Sequence, residues 1–197
     1  LQKNMEYYHM PPLGEGPIAF YDVQKLFSLA YEDGKSRKSL EYAVDFLGIE
    51  KDIPFHRAFS DAYYTAKVFA RLRDEKVLQY VSYDIYRAPR TKEQEVQVVF
   101  DTYAKYISRE FDNKIQLMAD KEVISTRCYL CNKAARKKIR WFSANGKNYF
   151  CAAYCEQHGY LRAKLRIRKD CNRKLYAVKT TKLIDEAGYA AVQERFL

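Results

Sequence analysis

Two pairs of potential metal ligands share the same two-residue gap. Cys128 and Cys131 form a C-x2-C pair that puts two thiolates on one tight turn, and Cys155 and His158 repeat the spacing. Three thiolates and one imidazole make up the Cys3His ligand set of many tetrahedral structural zinc sites. The pattern therefore predicts one structural Zn2+ ion, which suits these ligands better than iron does.

The fourth ligand has an alternative. Cys151 lies at the end of the same predicted hairpin as Cys155, so it competes with His158 for the last position. Cys171 is distant in the sequence and is left out of the predicted site. A clustered, odd number of five cysteines argues against a secreted disulfide framework. Thiols that bind metal are typical of a reducing compartment, so we expect a cytoplasmic location.

A second candidate site consists of His56 and, five positions later, Asp61. An aspartate in the first turn of a helix is favoured by the helix dipole, and Ser60 would be a good N-cap. The spacing alone therefore favours an ordinary helix start. The alternative is a catalytic corner, because a carboxylate can bind a divalent ion while a neighbouring imidazole accepts a proton near neutral pH.

The surrounding sequence favours the catalytic interpretation. The stretch "FHRAFSDAYYTAKVFARL", preceded by "SLEYAVDFLGI" and "YDVQKLFSLA", closely resembles the end of DnaQ-like (DEDDh) 3′–5′ exonucleases, which have a ribonuclease H-like fold. The last motif of that family reads H-x-A-x-x-D-A-x-x-T-A, and the resemblance covers roughly residues 1 to 75. The matching positions are His56, Ala58, Asp61, Ala62, Thr65 and Ala66.

The resemblance implies roles for two of these residues. Asp61 would be one ligand of two Mg2+ or Mn2+ ions that stabilise the attacking and leaving oxygens of phosphodiester hydrolysis. His56 would be the general base that deprotonates the attacking water. The family also needs an Asp-x-Glu on its first strand and an Asp on a middle helix, and neither occurs upstream of "YDVQKLF". We therefore expect the C-terminal part of such an enzyme, inactive alone, with the missing carboxylates before Leu1.

Helical periodicity dominates the first part of the chain. The predicted elements are a weak strand near residue 18 and three helices, at residues 23–34, 39–48 and 60–73. Ala62, Ala66 and Phe69 form the expected buried stripe of the third helix. We predict an α/β fold class, namely the helical C-terminal half of a ribonuclease H-like fold with its N-terminal sheet largely missing. A small β-rich zinc-binding lobe would follow it.

The rest of the chain is predicted to be extended and rich in turns. "RAPRTKEQ" suggests a linker, and β-branched and aromatic residues predict an extended segment at 95–107. A short helix is expected at 113–120, and Asn145-Gly146 predicts one hairpin, with a second over 160–183. The predicted domains are residues 1–88 for the exonuclease part, 89–126 for a connecting extended segment and 127–197 for the zinc lobe.

Positive charge is concentrated in the C-terminal third. The chain carries a net charge of +10, but residues 121–182 alone hold 17 Lys and Arg against 3 Asp and Glu. A predicted strand there places four cations on one face, at Arg162, Lys164, Arg166 and Arg168. Such a face suits a polyanion, so we predict binding to nucleic acid, either DNA or RNA, as single strands or 3′ ends.

Aromatic rings near the basic strand would complete the predicted interface. Trp141 and Tyr149, together with Phe142 and Phe150, could stack on unpaired bases. A solvated basic face is the simpler interpretation. Two other functions stay open: a non-catalytic nucleic-acid-binding zinc module on a helical scaffold, and a protein-interaction domain that uses some of the 18 tyrosines. No run of 18 apolar residues occurs, so no membrane partner is expected.

Overall fold

The computed structural model has two compact units. The residues that it describes are 1–72, 75–143 and 145–196. The helical unit is Ala19–Asp84, and the sheet unit combines Leu1–Ile18 with Ile85–Leu197.

Seven α-helices and eight strands lie within the described residues. The helices are α1 (Gln2–Tyr7), α2 (Val23–Tyr31), α3 (Leu40–Phe46), α4 (Ala58–Arg71), α5 (Glu75–Leu78), α6 (Lys114–Ala119) and α7 (Glu186–Glu194). The strands are β1 (Ile18–Phe20), β2 (Ser82–Asp84), β3 (Val96–Val99), β4 (Ala104–Ile107), β5 (Arg136–Ser143), β6 (Asn148–Cys155), β7 (Gly159–Lys169) and β8 (Leu175–Leu183). Helices α2 to α5 form the helical unit together with the paired strands β1 and β2.

Side-chain caps fix the starts of α2 and α3. The Asp22 carboxylate accepts a hydrogen bond from Lys25 N at 3.0 Å, and Ser39 Oγ accepts one from Tyr42 N at 3.1 Å. Each bond satisfies an amide that the first turn of a helix leaves without an intrahelical partner. The predicted helix starts at Val23 and after Ser39 are confirmed.

Helix α4 differs from its prediction at its start and on its buried face. It begins at Ala58, and Ser60, the predicted cap, is buried inside its first turns. Its buried side chains are Ser60, Tyr64 and Val68. Ala62 and Ala66 of the predicted stripe are exposed, because turning the larger tyrosine and valine inward removes more apolar surface from water. The predicted helix end at Arg73 lies outside the described residues.

The helical unit has an apolar core of its own. Phe27, Val44 and Tyr64 are almost fully buried in it, one each from α2, α3 and α4. The Tyr64 hydroxyl donates a hydrogen bond to Ile53 O at 2.7 Å, which satisfies its polar end. That bond also ties the segment that leads to His56 onto helix α4.

A six-stranded antiparallel sheet forms the centre of the sheet unit, with strand order β3-β4-β8-β7-β6-β5. The hairpins predicted around Asn145-Gly146 and over residues 160–183 are confirmed, since β5 pairs with β6 and β7 pairs with β8. The short helix predicted at 113–120 is confirmed as α6, and Asn113 Oδ1 caps it by accepting from Gln116 N at 3.0 Å.

The predicted fold class is wrong. The sequence predicts the helical half of a ribonuclease H-like fold with a small β-rich lobe, whereas the chain is a sheet-rich mixed α/β protein centred on the six-stranded sheet. Residues 95–107 provide β3 and β4, which extend that sheet from β8. The physical reason is that β8 would otherwise be an edge strand, and the backbone groups of β4 satisfy its unpaired amides and carbonyls. Residues 89–126, predicted as a connecting segment, thus supply two strands and α6.

The two faces of the sheet differ in chemistry. We call the first the apolar face, on which Tyr106, Tyr149, Leu165 and Ala177 pack with Leu117 of α6. It holds most of the sheet unit's core.

The opposite face presents the alternate residues of β7. We call it the basic face, and its cations on β7 are Arg162, Lys164, Arg166 and Arg168. Helix α7 covers one side of this face, where Val192 packs on Ile139 and Ala152.

Candidate metal centre and nucleic-acid interface

The first pair of candidate ligands lies on a tight backbone turn. Arg127 and Ala134 form an antiparallel bridge at its base, and within the turn Cys128 N donates to Lys133 O at 2.9 Å. Asn132 N closes the turn on Cys128 O at 2.8 Å, and its φ of 57° is a left-handed conformation that asparagine tolerates well. This geometry directs the side chains of Cys128 and Cys131 toward the same point.

The second pair lies where β6 turns into β7. Cys155 is the last residue of β6 and pairs with Gly159, the first residue of β7. The turn between them is short, and Gly159 has a φ of 82°, which a residue without a Cβ adopts at little cost. His158 therefore returns beside Cys155 at the same end of the sheet as the first turn.

The four side chains converge on one point. Their ligand atoms all lie within 4.8 Å of one another. The separations are 3.6 Å from Cys128 Sγ to His158 Nδ1, 3.7 Å from Cys155 Sγ to the same nitrogen, and 3.7 Å from Cys131 Sγ to Cys155 Sγ. Zinc–sulfur bonds of about 2.3 Å in a tetrahedron put sulfur atoms about 3.8 Å apart. The group therefore could hold a metal ion such as zinc.

Electrostatics at the site differ between its cysteines. Burial raises the pKa of Cys128. Burial also opposes ionisation of Cys155, but hydrogen bonds from the His158 side chain and from backbone amides lower the pKa of that thiol to about 6. A cysteine that is a thiolate at neutral pH is ready to bind a metal cation, since the deprotonated form is the ligand.

The two remaining cysteines lie outside the group. Cys151 is fully buried within β6 and pairs with Ala163, and burial raises its pKa to about 12. The group of four contains His158 and not Cys151, which decides between the two candidates for the fourth position. Cys171 is exposed in the turn between β7 and β8.

The structure places His56 and Asp61 next to each other. His56 is exposed with a φ of 68°, and its backbone N–H donates to Asp61 Oδ1 at 3.2 Å. The carboxylate thereby supports an uncommon backbone conformation just before α4. Over the described parts of the chain, Asp61 belongs to no group of three or more His, Cys, Asp and Glu side chains that could hold a metal.

The four basic side chains of β7 lie on one face together with cations that are distant in the sequence. Lys105 of β4 has its pKa lowered by burial and by the nearby charges of Arg168 and Arg166. Burial and the charges of its neighbours, among them Arg195 after α7, likewise lower the pKa of Lys164. Within the described ranges none of the four β7 cations forms a salt bridge. In the described part of the chain, the four cations of β7 therefore carry positive charge that no salt bridge neutralises.

Only some of the predicted aromatic rings share the basic face. Phe150 does, and Lys164 Nζ lies 5.4 Å from its ring centroid, with Phe142 beside it at 6.0 Å between centroids. Trp141 and Tyr149 instead lie in the core on the apolar face, where Trp141 Nε1 donates to Ile124 O at 3.0 Å. These two rings are not placed to stack on bases bound to the basic face.

Sequence reasoning missed Lys105 and Arg195 as members of the basic face. Lys105 reaches it only because β4 pairs with β8, where Lys105 lies opposite Thr180. No local pattern in the sequence signals that pairing. Arg195 follows α7, and it reaches the face because that helix packs back on the sheet.

Comparisons with known proteins identify no relative. No family model, no curated protein and no solved structure matches the chain. None of the helices in the described residues has the length and apolar character needed to cross a membrane.

Proposed function

We propose that this chain acts on nucleic acid, with a 3′–5′ exonuclease motif in the helical unit and a zinc-stabilised nucleic-acid-binding surface in the sheet unit. The observation that carries the binding function is the basic face, where Arg162, Lys164, Arg166 and Arg168 lie in one row. Zn2+ held by the Cys3His group would fix the end of the sheet on which β7 begins. A reducing compartment such as the cytoplasm suits its free thiols.

The charge pattern favours a phosphate backbone over a folded acidic protein. Same-face residues along a strand are about 6.6–6.8 Å apart, so the row presents cations at regular intervals, as an extended polyanion does. Phe150 beside Lys164 adds an aromatic surface, which single strands use because their bases are free to stack. The proposed ligand is therefore single-stranded DNA or RNA, or an unpaired 3′ end.

Salt dependence tests the binding function. Replacing Arg166 and Arg168 together by Glu is expected to weaken binding to all oligonucleotide sequences alike. It should also flatten the slope of log K against log salt by about 1.4, because each contact with a single strand contributes about 0.7. Fluorescence anisotropy with labelled oligonucleotides across a salt series measures both effects.

The matched control reverses two cations elsewhere in the sheet unit. Lys133 and Lys137 are exposed, and changing both to Glu alters the net charge by the same amount. Lys137 pairs with Ala153 on the apolar face, so this pair of changes should leave the slope as it is. If the two double variants weaken binding equally, binding depends on the net charge of the protein and not on the basic face. If the wild type shows no measurable affinity for oligonucleotides at low salt, the proposed interface does not exist.

The exonuclease function has a specific observation in its favour. His56 and Asp61, which the resemblance assigns as general base and metal ligand, are adjacent at the start of α4, and the His56 side chain is open to solvent. Asp61 would hold Mg2+ or Mn2+, which would supply charge stabilisation for phosphodiester hydrolysis. The exposed imidazole of His56 would accept the proton of the attacking water.

Residues 1–197 alone are expected to release little or no mononucleotide from 3′ ends. One carboxylate does not hold two divalent ions, and among the described residues Asp61 belongs to no group of three or more side chains that could hold a metal. Release from a 3′-labelled oligonucleotide with Mg2+ or Mn2+ measures this. Robust turnover that Asp61→Ala abolishes would mean that the other ligands lie within this chain.

A further inference from the structure

A cleft of about 550 Å3 is lined mainly by residues of the apolar face of the sheet, and Lys105 of the basic face also borders it. Its floor includes Tyr106 of β4 with Lys179 and Thr181 of β8. Its wall is made by residues between Glu122 and Asn132, which lead into the first metal-binding turn. Pockets for small ligands typically have volumes of about 300–1,000 Å3, so a ligand the size of a mononucleotide fits.

The floor of the cleft carries a buried positive charge. Lys179 is only 8% exposed, and its ammonium group donates to Glu122 O at 2.6 Å and to Ser125 O at 3.1 Å. It also lies 5.0 Å from the centroid of the Tyr106 ring. An ammonium group has three donors, so these two carbonyls leave one N–H for a ligand. Burial lowers the pKa of Lys179 to about 8, so the group still carries its charge at neutral pH. Lys179 forms no salt bridge with any residue that the structure describes.

An unpartnered hydroxyl lies beside this charge. Thr181 is 9% exposed, lines the cleft, and has no hydrogen-bond partner for its hydroxyl among the residues described. The Thr181 hydroxyl is not among the fully buried side-chain atoms that lack a partner, so it reaches the solvent of the cleft and is free to donate to a bound ligand. Thr181 and Lys179 are two positions apart on one strand and therefore face the same side.

A second cation stands at the wall. Arg127 is exposed, and its Nη1 donates to Asn132 O at 3.2 Å, which holds the guanidinium beside the cleft with other donors still available. Among the described residues that line the cleft, Glu122 is the one acidic residue, and it is exposed. Ammonium, guanidinium and hydroxyl donors together are the groups that bind phosphate oxygens in proteins.

We propose that this cleft binds the phosphate group of a mononucleotide-sized ligand. Lys179 and Arg127 supply charge to the phosphate, Thr181 donates a hydrogen bond, and the apolar lining of Val99 and Ala104 accommodates the rest of the ligand. The phosphate belongs either to a free nucleotide or to the phosphorylated end of a nucleic acid. This site does not rest on the function proposed above, because none of its proposed phosphate ligands is one of the four cations of β7.

Isothermal titration calorimetry, in which adenosine 5′-monophosphate is added to the zinc-loaded chain, tests the proposal. We expect saturable binding, and about 10- to 150-fold weaker binding of adenosine, which lacks the charge-assisted contacts. Thr181→Val keeps the side-chain shape and should weaken nucleotide binding by about 2- to 10-fold. Thr180→Val is the matched control, since the neighbouring threonine points to the basic face, and it should leave the affinity unchanged.

The source of the phosphate is distinguished by competition. Displacement of adenosine 5′-monophosphate by a 5′-phosphorylated oligonucleotide, but not by its unphosphorylated form, supports a nucleic-acid end, whereas no displacement supports a free nucleotide. The Arg166→Glu, Arg168→Glu double variant should bind the mononucleotide as the wild type does, so this test is separate from that of the basic face. Adenosine bound as tightly as its monophosphate, or equal affinities of the two threonine variants, would overturn the proposal.

Discussion

Replacing Cys128 with serine is expected to release the zinc ion and to unfold the metal-binding end of the sheet unit. Cys128 is fully buried, and a serine hydroxyl does not replace a thiolate as a zinc ligand. Structural zinc contributes on the order of 10 kcal/mol to folding, comparable with the whole stability of a typical domain. Elemental analysis measures the zinc content, and circular dichroism on heating measures the unfolding.

Other cysteines of the chain provide matched controls for that change. Cys171→Ser alters an exposed thiol outside the group and should change neither zinc content nor thermal unfolding. Cys151→Ala removes a buried thiol from β6, so it should lower the melting temperature but retain the metal. Full zinc content in Cys128→Ser, or zinc loss in Cys151→Ala, would mean that the ligand set is misassigned.

Replacing His56 with alanine is expected to lower kcat for 3′-end hydrolysis by about 10²- to 10⁴-fold, with oligonucleotide binding unchanged. That range is what a positioned general base contributes. The measurement needs protein in which the remaining acidic motifs of the exonuclease family are present, with Mg2+ saturating. Single-turnover kinetics give the rate of hydrolysis, and anisotropy gives the affinity for the same oligonucleotide.

Two further variants separate a catalytic role of His56 from a structural one. His56→Asn removes the base, but asparagine tolerates the φ of 68° at this position, so it should lose kcat without losing stability. His9→Ala changes another exposed histidine, one with a φ of 52°, and should keep full activity. An unchanged kcat in His56→Asn would remove this residue from the mechanism.

Local elements of the fold were predictable because their signals are short-range. Ser39 as a helix cap and Asn145-Gly146 as a hairpin turn each depend on a few neighbouring residues. The strand alternation of β7 also needed only its own sequence, in which Leu161, Ala163 and Leu165 alternate with cations.

The architecture was not predictable in the same way, because it depends on pairing between distant strands. The partner of Ala104 across the sheet is Thr181, which lies far along the sequence, and nothing local to either residue specifies the pair. A resemblance that covers only the first part of the chain gave no information on this sheet. The mixed, sheet-rich fold therefore depends on pairing between distant strands. The motif around His56 carries no information on that pairing.

The candidate sites show the same division. The candidate metal ligands were predictable because two-residue gaps on tight turns are a local signal, and the structure brings Cys155 and His158 together with the first pair. The aromatic part of the interface was not predictable, because successive residues of a strand point to opposite faces and a shift of one residue reverses the face on which a side chain lies. Trp141 and Phe142 are neighbours in sequence, yet the first lies in the core of the apolar face.

The zinc content of the purified wild-type chain tests the central claim most directly, since we propose that zinc held by the Cys3His group fixes the end of the sheet that carries the basic face. Elemental analysis should find one zinc ion per chain, and thiol titration without denaturant should find Cys128, Cys131 and Cys155 protected from modification. A folded chain without bound metal, in which these three thiols react freely, would contradict the account.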